Sequence, residues 1–342
     1  MSAQPDPAAL AVVLVTYDSA AGLPAVLDAL AVQRRPGDEV VVVDNGSRDG
    51  TRALARAHRA VDRVLEPGAN LGFAAGCNLG ARATAAPILL FLNPDAVPQP
   101  RCLDALRAAP AAWSAWQAVV ALPGGRLLNS AGNELHFLGF SWAGRCGQTL
   151  ETLPDGPYEA TCLSGACLAV RRADWPEFSE PFFMYCEDVD LSLRLRLTGK
   201  CQGVLPQARV EHEYDFEKGP EKWRGLERNR WLCVLRCWPG PLLVPTLPML
   251  LALEPLLLVV AAAQGWAPAK LRAMAGVARA LPRVLGERRA IQAERVVSTA
   301  AFAAPLRSRL DSPYFGTLGR SRAVRALLAA AWWGVRTVAR VR

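Results

Sequence analysis

The sequence predicts an α/β protein built on an open, mostly parallel, Rossmann-like sheet with flanking helices, followed by a helical C-terminal region. Three observations predict it. Short, wholly apolar runs alternate with segments of helical periodicity over the first hundred residues, three of those runs stop at polar turns, and basic residues concentrate at the C-terminal end.

Leu10 to Val15 is a continuous apolar run ending at Thr16-Tyr17-Asp18. Such a run suits a strand buried on both faces, as in a parallel sheet. Ala20 to Ala31 has helical spacing, and Val40 to Val43 is a second buried strand that stops at Asp44-Asn45-Gly46-Ser47. Thr51 to Ala60 reads as helix, Arg63 to Leu65 as a short strand, Gly72 to Ala85 as helix, and Pro87 to Leu92 as a strand ending at Asn93-Pro94-Asp95. Polar residues just past the carboxyl ends of parallel strands line the ligand crevice of such sheets. The three turns therefore point to one edge.

The stretch from Ala111 to Ala160 is Gly-rich and aromatic and reads as irregular strands and loops covering that crevice. A strand resumes near Cys162 to Val170, and Lys222 to Trp238 reads as helix. A domain boundary is expected at Pro239-Gly240-Pro241, dividing residues 1–240 from 241–342. Beyond it, Leu242 to Ala263 is almost entirely apolar but holds Pro245, Pro248, Pro255 and Glu254. Those residues argue against a span and favour a broken hairpin or interfacial segment. Further on, Arg322, Arg325, Arg336 and Arg340 share one helical face opposite Leu327, Leu328 and Trp332, as on a membrane-surface helix or on a docked helix with a solvated charged face.

Charge sharpens this division. Of the formal +8, residues 264–342 carry 15 Lys and Arg against 3 Asp and Glu, leaving the remainder slightly acidic. That asymmetry argues against a general nucleic-acid binder and favours a tail that meets an anionic membrane surface. Nine cysteines without a CxxC pair argue against zinc and disulfides, and for a reducing compartment. The first residues have no basic and apolar leader pattern, so the body is expected to face the cytoplasm.

Four elements carry chemistry. Asp44 and Asp95, at strand ends, could accept an N–H from a nucleobase or hold a hard cation, although both also suit ordinary turns. Asn70-Leu-Gly-Phe-Ala-Ala-Gly-Cys-Asn-Leu-Gly80 opens a helix with glycines and asparagines suited to close approach of a phosphate or nucleoside. Glu187, Asp188 and Asp190 follow an apolar run at the start of a helix. Acids are favourable there, and burial beside an apolar wall would also make Asp188 a general base. His212, in Ala208-Arg-Val-Glu-His-Glu-Tyr214, is by itself either a metal ligand or a satisfied residue.

Taken together, the blocks Val15-Thr-Tyr-Asp-Ser19, Val43-Asp-Asn-Gly-Ser-Arg-Asp-Gly-Thr51, Asn70 to Gly80, Leu92-Asn-Pro-Asp-Ala96, Ser164-Gly-Ala-Cys-Leu-Ala-Val-Arg-Arg172 and Phe182 to Leu191 strongly resemble family 2 glycosyltransferases of the GT-A fold. In particular the chain resembles the bacterial rhamnosyltransferase-like branch, which Glu227-Arg-Asn-Arg230 and the apolar stretch after it also look like. This resemblance implies a nucleotide-sugar donor (dTDP-, UDP- or GDP-linked), with Thr16, Tyr17, Asp44, Asn70, Gly72, Asn78, Asn93 and Asp95 as the donor-facing set. It implies Mg²⁺ or Mn²⁺ held at Asp95 and His212. Asp188, with Glu187 beside it, would be the base of an inverting transfer. Asn93 replaces the first acid of the usual Asp-x-Asp motif, and Asp18 stands where relatives usually have Asn. The implied acceptor is a lipid-linked or polysaccharide surface glycan, met at the cytoplasmic face of the bacterial inner membrane by a peripheral or monotopic enzyme. A nucleotidyltransferase, which would need a basic triphosphate loop near the first strand, and a catalytically inactive scaffold protein are the alternatives.

Overall fold

The computed structural model describes residues 6, 8–213, 219–311 and 321–341; Tyr214 of the His212 segment lies outside them. The chain divides into two compact units, one made of residues 1–133, 143–192 and 201–214, the other of 134–142, 193–200 and 215–342.

In the first unit the apolar runs become the centre of the sheet. β1 (Leu10–Thr16), β2 (Glu39–Asp44), β3 (Arg63–Leu65) and β4 (Ile88–Leu92) are joined by α1 (Leu23–Gln33), α2 (Thr51–Ala57) and α3 (Gly72–Arg82). β1 pairs in parallel with β2 and β4, and β2 with β3. Every residue of β1 and β4 is buried, as a parallel sheet covered on both faces requires. Glycine makes this packing close: a Cβ at Gly76 would lie 2.7 Å from Val15, and one at Gly80 2.4 Å from Val13. These two glycines therefore let α3 press onto β1.

β5 (Ala96–Pro98) and α4 (Cys102–Arg107) lead to β6 (Trp113–Ala121), followed by β7 (Leu128–Ser130). β8 (Asn133–Leu135) and β9 (Ser141–Ala143) form a separate two-stranded sheet. β10 (Tyr158–Glu159), β11 (Cys167–Arg171), α5 (Glu187–Leu197) and β12 (Cys201–His212) follow in chain order. The main sheet runs β10-β12-β6-β11-β4-β1-β2-β3, with β5 on β12 and β7 on β6. β11 lies antiparallel between β4 and β6, and β12 runs parallel to β6. Thus β3, β2, β1, β4, β6 and β12 all point the same way, and their carboxyl ends share one edge.

One expectation is corrected here. Residues 113–121 are not part of an irregular cover but a fully buried nine-residue strand near the middle of the sheet. Its buried glutamine is satisfied within the core: Gln117 donates to the Ala118 carbonyl at 3.0 Å and accepts from the Ser164 N–H at 2.7 Å.

The second unit is helical, with α6 (Gly219–Cys237), α7 (Gly240–Ala263), α8 (Ala267–Ala293), α9 (Thr299–Ala303) and α10 (Arg322–Val338). The apolar stretch is one 24-residue helix, α7, and not the broken hairpin expected from its prolines, which all lie inside it. α7 is long and apolar enough to cross a membrane, being about 36 Å at ~1.5 Å per residue. A buried quartet of charges joins it to its neighbours. Arg230 on α6 donates to Glu254 at 2.7 Å and to Glu227 at 3.0 Å. Lys270 on α8 bonds Glu227 and pairs with Glu254 at 2.6 Å, and the Trp231 indole donates to Glu254 at 2.8 Å. Two cations and two anions cancel, so none is left uncompensated. Removing one partner of such a buried set typically costs about 3–5 kcal/mol. On α10, Trp332 is buried and stacks on Phe137 with ring centroids 4.9 Å apart, so this helix is docked by part of its apolar face.

Candidate active site

The shared strand edge gathers most of the residues singled out in the sequence. Thr16 and Asp44 are opposite in register at the ends of β1 and β2. The Thr16 hydroxyl lies 3.2 Å from Asp44 Oδ1 and donates toward the Val43 carbonyl at 3.4 Å. Asp44 is almost wholly buried and is 3.5 Å from the Arg52 guanidinium on α2. Tyr17, the next residue, is half exposed. Thus a buried carboxylate and an exposed aromatic ring stand at neighbouring strand ends, a combination that can hydrogen-bond and stack on a planar base.

The loops after β1 and β2 are pinned to each other. Asp18, at φ +50°, donates its N–H to Ser47 Oγ at 2.9 Å and accepts from the Arg48 N–H at 2.6 Å. Ser19 N–H donates to Thr51 Oγ1 at 2.8 Å. Asp18 therefore holds the loop with its carboxylate.

At β4 the chain turns through Asn93-Pro94-Asp95 into β5, whose pairing with β12 sets His212 opposite Ala96. His212 Nε2 is 3.0 Å from Asp95 Oδ1 and 3.4 Å from the Asn93 amide nitrogen. One imidazole nitrogen and one carboxylate oxygen thus converge, 119 and 117 residues apart from Asn93 and Asp95 in sequence. Among the described residues no group of three or more His, Cys, Asp and Glu is arranged to hold a metal ion. Among the described residues the site offers this pair, to which a bound ligand's oxygens would add.

Asp188 reaches the same edge by another route. β11 is antiparallel to β4, so the segment preceding β11 lies beside Asn93, whose N–H donates to the Ala166 carbonyl at 3.0 Å. Gly165 in that segment donates its N–H to Asp188 Oδ2 at 2.9 Å. Asp188 is half-buried in the first turn of α5, and burial raises its pKa above the ordinary aspartate value, against the hydrogen bonds from Gly165 and Val189. Glu187 is buried and pushed up further, by burial and then by the charges of Asp188 and Asp190; its Oε2 finds no hydrogen-bond partner among the described residues. At neutral pH this pair holds protons more tightly than exposed carboxyls do.

Ahead of α5 the backbone is strained. Phe183, Tyr185 and Cys186 all have positive φ, at +63°, +73° and +61°. Gly72, also at positive φ, lies directly beneath: a Cβ there would come within 2.5 Å of the Phe183 ring and its carbonyl. Ala74 N–H donates to that carbonyl at 3.2 Å. Gly72→Ala is therefore expected to lower the melting temperature, with about 1–3 kcal/mol lost, and to displace the segment leading to Asp188. Thermal melts together with turnover check both effects.

Three donor-facing candidates take structural parts. Asn78 is buried, donating to the Phe178 carbonyl and accepting from the Phe178 N–H, both at 2.9 Å. It brackets a loop a hundred residues away and does not join the strand-end group. Asn70 accepts the Gly72 N–H at 2.9 Å, shaping the entry to α3. Gly72 itself faces Phe183. Conversely, Asn45 was not singled out, yet it ties the edge together. Its N–H donates to the Thr16 carbonyl at 2.8 Å, its side-chain amide donates to the Gly72 carbonyl at 3.0 Å, and its buried Oδ1 has no hydrogen-bond partner among the described residues. Its place beside Asp44 in the turn was the only sequence signal for it.

Comparison with known proteins agrees with this geometry. Glycosyl transferase family 2 matches residues 11–125, the parallel half of the sheet and both its first strand ends. The N-acetylglucosaminyl-diphospho-decaprenol L-rhamnosyltransferase of Mycobacterium tuberculosis is 33% identical over 238 residues, covering 61% of this chain and 78% of that relative. Among solved structures, the crystal structure of S. aureus TarS 1-349 in complex with UDP superposes with a TM-score of 0.51 at 17% identity, covering 86% of this chain and 90% of that one. GalNAc-T7 with UDP, GalNAc and Mn²⁺ gives a TM-score of 0.57 at 14% identity, covering 70% of this chain and 50% of that one. The two structures share the GT-A fold with this chain. The nucleotidyltransferase and inactive-scaffold alternatives both give way, because sequence identity across most of a rhamnosyltransferase coincides with the strand-end carboxylates: the chain belongs to glycosyl transferase family 2 and is a glycosyltransferase.

Proposed function

We propose that this chain transfers a sugar, rhamnose in the first instance, from a nucleoside-diphosphate donor to a hydroxyl of a lipid-linked surface glycan, with inversion at the anomeric carbon. The likeness to a transferase named for rhamnose and a decaprenol-diphosphate acceptor carries this reading. The site supports it. Tyr17 and Asp44 suit the donor's base, with Asn45 Oδ1 as a spare acceptor beside them.

Asp188 is the base in this scheme. It takes the proton from the acceptor hydroxyl as that oxygen attacks the anomeric carbon and the nucleoside diphosphate departs. Burial favours proton uptake at Asp188, and the Glu187 carboxyl beside it is pushed up further, by its own burial and then by the charge of Asp188. Asp95 Oδ1 and His212 Nε2 fit a Mg²⁺ or Mn²⁺, an oxygen and a borderline nitrogen at hydrogen-bond separation with Asp95 partly open to a ligand. When bound, such an ion offsets charge on the leaving diphosphate. Residues 1–240 then form the catalytic part and 241–342 the part that meets an anionic membrane, at the cytoplasmic face of the inner membrane where a lipid-linked acceptor is presented.

A thermal-shift panel of UDP, GDP and dTDP, each with and without Mn²⁺, tests the donor site. Ligands that bind only the native state raise the melting temperature. One nucleotide, dTDP first, is expected to raise it in a Mn²⁺-dependent way. The absence of a shift with all three would remove the donor assignment.

A further inference from the structure

From the second unit alone, we infer that α7 lies in the plane of an anionic bilayer, half-immersed through one face, and does not cross it. At about 100° per residue, its buried members Leu242, Thr246, Leu250, Glu254 and Ala261 fall on one arc. Val244, Leu251, Leu256 and Val259, between 56% and 71% exposed, fall on the opposite arc together with Pro248 and Pro255. No charged or hydroxyl side chain stands on that exposed arc.

Three features fix the orientation. Glu254, the single acid of α7, is held on the protein side by Arg230, Lys270 and Trp231. A span would carry that carboxylate into hydrocarbon or drag its partners after it. Next, Pro245, Pro248 and Pro255 remove the N–H groups that the carbonyls of Pro241, Val244 and Leu251 would otherwise accept. Water at the headgroup boundary satisfies such freed carbonyls directly, where a span would need neighbouring helices or side chains to do so. Finally, the adjoining helix has matching charge. On α8, exposed Leu271, Met274, Leu281 and Leu285 share one face and Arg272, Arg279 and Arg283 another about 140° away. Arg272 pairs with Glu221 and Arg283 with Glu287, within a C-terminal stretch of 15 Lys and Arg against 3 Asp and Glu whose net positive charge complements anionic headgroups.

The inference gives the acceptor reading above its physical setting, but its test involves neither donor nor acceptor, so either can fail alone. Full-length protein is sedimented with phosphatidylcholine vesicles containing or lacking phosphatidylglycerol, beside a variant carrying Val244→Asp, Leu251→Asp and Val259→Asp. These positions are exposed, and an unchanged melting temperature confirms that the variant is folded. Wild type is expected to sediment with the phosphatidylglycerol vesicles, and the variant at least tenfold less. Equal sedimentation of the two overturns the docking face. So does a wild-type dimer that the substitutions split without any vesicle binding, since the face would then be a self-contact. C-terminal fusions in cells decide the orientation. A fluorescent GFP fusion with a silent alkaline phosphatase fusion is expected; active phosphatase means that α7 spans and overturns the in-plane placement.

Discussion

Asp188→Asn is expected to lower turnover by about 10²- to 10⁴-fold, the usual worth of a positioned general base, while nucleotide binding stays nearly as in wild type. The reason is local. Asp188 Oδ2 accepts the Gly165 N–H at 2.9 Å, and an asparagine oxygen can keep that bond, so the segment before β11 retains its place. What is lost is the basic oxygen. The raised pKa of Asp188 adds a pH signature: the base works only when ionised, so the acid limb of kcat/KM should lie above the ordinary aspartate value of 3.8. Stability moves in the opposite sense to activity. Between the ordinary carboxylate range and the raised native values of Glu187 and Asp188, the folded protein holds more protons than the unfolded chain, so stability falls as pH rises through that window. Asp188→Asn and Glu187→Gln should therefore melt no lower than wild type at neutral pH, which separates a dead site from an unfolded one. Turnover, nucleotide affinity and melting temperature against pH check these statements together.

His212→Ala and Asp95→Ala are expected to abolish the Mn²⁺-dependence of nucleotide binding, with metal affinity falling by at least ~10–100-fold. Loss of groups that merely orient a ligand costs that much, and these residues would be the ligands themselves. In the proposed scheme the Asp95–His212 pair serves, with Nε2 and Oδ1 3.0 Å apart and no larger donor cluster among the described residues, so each substitution removes one of the two proposed protein ligands. Titration of nucleotide into each variant at rising Mn²⁺ measures the effect. A wild-type Mn²⁺ response in either variant would remove that residue from the metal assignment.

The parallel half of the fold was legible because β1, β2 and β4 are buried on both faces and so appear as unbroken apolar runs bounded by polar turns. β6 was not, because Ser114 and Gln117 interrupt its apolar pattern, and only the partners in the folded sheet explain a buried glutamine. A similar limit applied to Asn70–Gly80. The sequence states that glycines and asparagines open a helix, but not which face each occupies. Gly76 and Gly80 turn to β1, Asn78 turns to Phe178, and Asn45 supplies the tie to Gly72. Long-range pairs such as Asp95 with His212 and Asp188 with Gly165 depend on β12 and β11 joining the sheet next to β6 and β4, which local pattern does not reveal. The quartet around Glu254 belongs with them: in sequence it is one acid in an apolar stretch, and in the fold it sets which face of α7 is covered.

The anomeric configuration of the product tests the central claim most directly. Purified enzyme, dTDP-rhamnose, Mn²⁺ and a synthetic prenyl-diphosphate-linked N-acetylglucosamine are combined, and the new linkage is assigned by NMR against the donor. A product of inverted configuration, formed by wild type and not by Asp188→Asn, is the predicted result. A retained configuration, or equal product from the Asp188→Asn enzyme, would contradict single displacement with Asp188 as base.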